Sequence, residues 1–150
     1  MKKIISIFLL LMSVHTFAQD REQMRERIQA QKIAFITEKL SLTAAEAQSF
    51  WPIYNTYEAT VNTIKSKDLR AIKMEMRNDE GVSDKRANEL LESLIEAEDK
   101  MHASKLKLVR DLKKVIPAKK IIQLKGAEDQ FNRMLLERLK EFRENRKKRN

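Results

Sequence analysis

The chain has 150 residues, with 31 Lys or Arg against 22 Asp or Glu, two glycines, two prolines and no cysteine. The lack of cysteine excludes disulfides and thiolate metal sites, and so few turn-forming residues leave room for little besides long helices. A formal net charge of +9 favours acidic partners.

Lys2 and Lys3 precede an apolar run from Ile4 to Val14, and Thr16-Phe17-Ala18 ends in a small residue before Gln19. That order predicts a secretory signal peptide over residues 1–19, cut near Ala18. The run of eleven residues spans only ~16 Å as a helix, about half of a ~30 Å hydrocarbon core, so a membrane span is not expected. Cleavage and passage through the inner membrane would place the chain in the periplasm. Removing 1–19 leaves 29 basic and 22 acidic residues, a net charge of +7. The acidic partners of that compartment are anionic lipid, lipopolysaccharide and acidic polypeptides, and export argues against nucleic acid. Residues 20–142 read as one helical domain. Residues 143–150 (RENRKKRN) read as a basic disordered tail, or as an electrostatic tether to an anionic surface.

Four helices are predicted in all. The first, about Arg21 to Lys39, repeats Met24, Ile28, Phe35 and Ile36 at helical spacing. The second begins at Thr43, whose hydroxyl and the Glu46 carboxylate can close a capping box. Its apolar seam runs Ala47, Phe50, Tyr54, Tyr57, Val61, Ile64, Ile72 and Met76, interrupted only by Asp68 and bordered by Leu69. Pro52 lies too far along to be a helix-start proline, which predicts a kink or break near Trp51. Asn78 to Gly81 reads as a turn and Ser83 as the next N-cap. The third helix, about Asp84 to Val115, carries Ala87, Leu91, Leu94, Met101, Leu108, Leu112 and Val115 on its apolar side. Pro117 suits the start of a fourth, marked by Ile121, Leu124, Phe131, Leu135, Leu139 and Phe142. The expected fold is all-α: a long kinked antiparallel hairpin with flanking helices.

Chemistry is sparse. His102 is the one histidine left after signal removal, and a single imidazole without thiols does not make a typical zinc or copper site. Met74 and Met76 are two apart and point to different helix faces. Carboxylate pairs such as Glu96 with Asp99 lie among lysines and arginines, as solvated ion pairs do. There is no glycine-rich phosphate loop and no nucleophile elbow. The expectation is a protein that is not an enzyme, with no cofactor and no metal.

Charge and aromatics are arranged by face. Arg70, Lys73 and Arg77 share one side of the second helix, and Lys100, Lys107, Arg110 and Lys114 form a row on the third. Such rows fit a partner-binding surface and equally an ordinary solvated helix face. Phe50, Trp51, Tyr54 and Tyr57 fall within eight residues. They suit core packing beside Pro52, and Trp51 and Tyr54 could also contribute an apolar cradle for unfolded segments.

Leu42-Thr43-Ala44-Ala45-Glu46 resembles the LTxxQ motif of the Spy and CpxP group of periplasmic stress proteins, with Glu46 where the motif has Gln. The wider stretch Lys39 to Glu58 is similar to the short envelope proteins of that group described as sensors linked to extracytoplasmic-function sigma factors. The second motif is represented by Val115-Ile116-Pro117-Ala118, which lacks Leu-Thr and Gln. The resemblance implies a bent hairpin that forms a homodimeric cradle. It also implies an ATP-independent chaperone or adaptor for unfolded or specific envelope proteins. The alternative it implies is a regulatory sensor of a sigma-factor stress pathway. A basic protein in peripheral contact with anionic membrane is a further reading, whereas the metal-sensor role sometimes attached to the group lacks ligands here.

Overall fold

Short polar side chains set where the helices begin and a strained serine sets where one ends. The computed structural model describes residues 22–77 and 82–149. The expected signal peptide and the turn expected at Asn78 to Gly81 lie outside the described residues. Helix α1 spans 22–39 and closes with the Leu40 and Ser41 amides donating back to the Ile36 and Glu38 carbonyls. Ser41 adopts φ of 46°, the left-handed conformation that usually falls to glycine at a helix end.

Helix α2, Ala44–Thr63, starts at Thr43 with the reciprocal capping box complete. It passes without interruption into a π-helical segment, Ile64–Leu69, and then into α3, Arg70–Met76. Helix α4, Asp84–Leu112, starts at Ser83, whose hydroxyl accepts from the Arg86 amide, and α5 spans Ala118–Arg149. Counting α2 to α3 as one run, the described residues form four helical runs and no strand. The fold is all-α.

Two compact units share these helices, one of Leu42–Ile122 and one of the residues up to Ser41 together with those from Gln123 onward. In the first, α2 and the π segment pack on α4. Ile64, Leu69 and Ala97 are buried together, with Leu94 and Met101 half-buried against them. In the second, α1 and α5 run antiparallel: Phe35 meets Phe131 with ring centroids 5.7 Å apart, and Arg138 donates to Gln31 Oε1 at 2.9 Å. Ile36, Leu40, Leu124 and Phe131 are each no more than 2% exposed there.

The break expected at Pro52 is absent, because α2 continues through that residue. The proline ring lies on the exposed face, where water can reach the carbonyl one turn earlier that has lost its amide donor. On the inner side the rings of Phe50, Trp51 and Tyr54 pack face and edge within 5.5 Å of each other. Departure from α geometry occurs twelve residues further on, in the π segment. There the one-residue expansion passes over Asp68 and brings Leu69, five after Ile64, into the buried seam ahead of Ile72.

Three further expectations need correcting. On α4 the buried residue of the first turns is Leu90, not Leu91, which is 49% exposed, since the seam that meets α2 runs through Leu90, Leu94 and Ala97. Helix α4 stops at Leu112, and a tightened turn with the Val115 amide on the Leu112 carbonyl leads to Pro117. The tail expected to be disordered is helical over 143–149, the end of α5.

Two changes probe this packing. Deleting Asp68 removes the additional residue and leaves Ile64, Leu69 and Ile72 at α-helical spacings of four and three, so the deletion should melt within a few degrees of the parent. Leu69→Ala should instead cost about 2–3 kcal/mol by truncating a buried side chain; equal losses from both would mean the expansion is not what carries the seam. Gly126 sits inside α5, and a Cβ added there meets nothing within 4 Å. Gly126→Ala should therefore stabilise by about 1 kcal/mol, read as a melting temperature higher by about 4 °C.

Candidate functional site

The motif residues build a junction between helices. Within Leu42-Thr43-Ala44-Ala45-Glu46, the Thr43 amide donates to Glu46 Oε2 at 2.8 Å and the Glu46 amide donates to Thr43 Oγ1 at 3.2 Å. Two of the donors that a helix start leaves unpaired are thus satisfied, a device worth about 1 kcal/mol. The same Oε2 also accepts from Lys120 Nζ at 2.6 Å, with both side chains about one-fifth exposed. Lys120 lies in the first turn of α5, so one carboxylate caps α2 and holds the entry to α5. The amide of a glutamine could close the cap but could not pair with a cation, so the Glu at this position acquires its meaning from Lys120. The Lys120 hydrogen bond and then the Thr43 amide hold the Glu46 carboxyl below its ordinary range.

The Val115 to Ala118 stretch forms the turn before α5, and Ile116 is buried at 5% exposure. Asp111, one turn earlier, accepts from Lys107 Nζ at 2.6 Å and Lys114 Nζ at 2.8 Å. Those two ammonium groups hold its carboxyl down to about 2.

At the other end of the hairpin, Arg86 clasps the Glu75 carboxylate with two nitrogens, Nε to Oε1 at 2.6 Å and Nη2 to Oε2 at 2.8 Å. Its Nη1 donates to Glu89 Oε2 at 2.8 Å. A bidentate fork of this kind fixes direction as well as distance, and here it spans from α3 to α4.

Beside that clasp lies the groove that best qualifies as a binding site. It has a volume of about 840 Å³ and is lined by Lys65, Leu69, Arg70, Lys73, Met74, Arg77, Glu98 and Met101. Four cations and one acid surround an apolar strip in which Met74 is 61% exposed. Arg70, Lys73 and Arg77, expected on one face, are brought together in it; Lys65, Met74 and Met101 were not singled out, although the i+4 spacing from Arg70 could have found Met74, whereas Lys65 joins them across the π segment.

The other expected residues divide differently. Lys107 lines a separate cavity of about 290 Å³ with Pro52, Tyr57, Thr60 and Asp111, and Lys107 and Lys114 both pair with Asp111. Lys100 pairs with Glu96 at 2.8 Å, and Arg110 Nε donates to the Leu106 carbonyl at 3.3 Å. The α4 row therefore does not extend the groove. Tyr54, expected to contribute to a partner surface, is 1% exposed and stacked on Phe50, so it serves the core; Trp51 is half-buried against the same rings.

Among the described residues no group of three or more His, Cys, Asp and Glu side chains is placed to hold a metal ion. None of their helices is long and apolar enough to cross a membrane. No protein-family model, curated protein or solved structure matches the chain.

Acid pH tests the motif junction. Glu46 and Asp111 both have folded-state values below their unfolded ones. The stability they contribute is therefore complete above about pH 4.5 and is lost as pH falls through the folded values, for Asp111 between about 4 and about 2. Glu46→Gln keeps a closable cap and removes the charge facing Lys120. Its urea midpoint should lie below the parent's near neutrality, and the gap should narrow as the pH drops from about 5 to about 3. A gap that stays constant across that range would mean that the ion pair contributes nothing.

Proposed function

We propose that the chain is exported to the periplasm and acts there as an envelope-stress protein. In this reading it holds unfolded or partner polypeptides without nucleotide and has no reactive centre of its own. The groove between the α2–α3 run and α4 is the observation that carries the proposal. An unfolded acidic segment offers two things at once, carboxylates and uncovered apolar side chains. Lys65, Arg70, Lys73 and Arg77 suit the former, and Met74 with the half-buried Met101 suits the latter. Methionine is unbranched and polarisable, so its side chain adapts to differing apolar shapes, which favours a site of low selectivity. The Lys65 and Lys73 ammonium groups attract without imposing one geometry. The reading carries a homodimer with it, for which Leu91 and Ile95, one turn apart and 49% and 55% exposed on α4, supply apolar surface.

The test uses the chain from Gln19 onward and no nucleotide. It should suppress aggregation of a denatured acidic client at near-stoichiometric ratio, less effectively as salt rises. Replacing Arg70, Lys73 and Arg77 together with alanine should raise the concentration needed roughly tenfold, since exposed ion pairs contribute up to about 1 kcal/mol each. Melting should change little. Failure to protect any of several clients would remove the chaperone reading. Capture of one envelope protein without client protection would favour the regulatory role in a sigma-factor pathway.

A further inference from the structure

The last turns of α5 carry a pattern the groove does not use. Arg138 still reaches Gln31 of α1, but every residue from 136 to 148 is exposed, including Leu136 at 58%, Leu139 at 45% and Phe142 at 68%. Leu135, Leu139 and Phe142 recur at four and three and make one stripe, continuing the helix face that buries Leu124 and Phe131 further back. Glu137, Glu141 and Glu144 recur at the same spacing but two residues out of phase, which at ~100° per residue puts them on the opposite side of the helix. Arg138, Arg143 and Arg146 fall beside or within the apolar stripe by the same geometry. Residues 133–148 hold seven Lys or Arg and three Glu. All three acids are thus turned away from the stripe, and cations border it.

We propose that the C-terminal half of α5 docks in the plane of an anionic phospholipid surface, with Leu139 and Phe142 entering the headgroup boundary and the bordering arginines on the phosphates. Apolar residues edged by cations, with acids on the far side, suit an interface that is greasy below and negative at its rim. A second copy of the chain offers poorer complementarity, because the same cations would face each other across a shared stripe. The helix lies on the membrane and does not span it, since its sequence is too charged to cross. This surface is independent of the client groove, and either could fail without the other.

The test is co-sedimentation of the chain from Gln19 onward with phosphatidylcholine vesicles, with and without phosphatidylglycerol. Binding should require phosphatidylglycerol and weaken as salt rises. Arg143→Gln with Arg146→Gln should lower the partition coefficient roughly 25-fold, about fivefold for each charge. Leu139→Ser with Phe142→Ser should lower it more than tenfold by removing the buried apolar area. The groove variant with alanine at 70, 73 and 77 should bind vesicles nearly as well as the parent. Absence of vesicle binding, equal binding to neutral vesicles, or equal loss in the groove variant would overturn the proposal. If Phe142→Ser dissociated a dimer and left vesicle binding unchanged, the face would belong to a second copy and the proposal would fall.

Discussion

An α-helix can keep one stripe against a neighbour only while its apolar residues return every three or four positions. Between Ile64 and Ile72 that rhythm would place Asp68 in the buried seam, where a lone carboxylate is costly. The helix widens to five residues between Ile64 and Leu69 instead, and the leucine takes the place against Ala97. Everything after this point is rotated by about one residue, or ~100°, relative to an uninterrupted helix. Arg70, Lys73 and Arg77 consequently line a groove with Met101 and Glu98 of α4. The site is a by-product of how the core avoids an aspartate.

The two ends of the hairpin are held by different chemistry. Near the start of α2, Glu46 is shielded, and its oxygen is shared between a helix cap and the Lys120 ammonium. At the far end the Arg86 fork is open to solvent, with its side chain 48% exposed, and is weaker accordingly. Some 40 Å of helix separates them. The groove lies toward the solvent-exposed clasp, with Met74 and Arg77 flanking Glu75 in sequence.

Helix periodicity made the all-α class, the Thr43 and Ser83 caps and most helix bounds readable, because each depends on residues within one or two turns. Three things were not readable, for three physical reasons. The π expansion is a compromise between Asp68 and the partner helix, and nothing local distinguishes it from a simple interruption. The Glu46 to Lys120 pair joins residues 74 apart, and neither carries a signal for the other. The left-handed Ser41 stands where glycine would have announced a helix end. Pro52 misled in the opposite direction, since a proline on a hydrated face need not end a helix whose inner side is fixed by stacked rings. The cationic face of α3 was legible as a row, but its depth was not, because Met101 comes from another helix.

The unit that contains α1 is discontinuous along the chain: its first strip precedes Leu42 and its second follows Ile122. A ribosome completes the middle unit first, and that unit has all of its partners within one contiguous stretch. α1 must wait, with Ile36 and Leu40 uncovered, until α5 has been synthesised, some eighty residues later. Closing so long a loop is slow as well as entropically unfavourable. The middle unit can therefore be complete while α1 still lacks its partner helix.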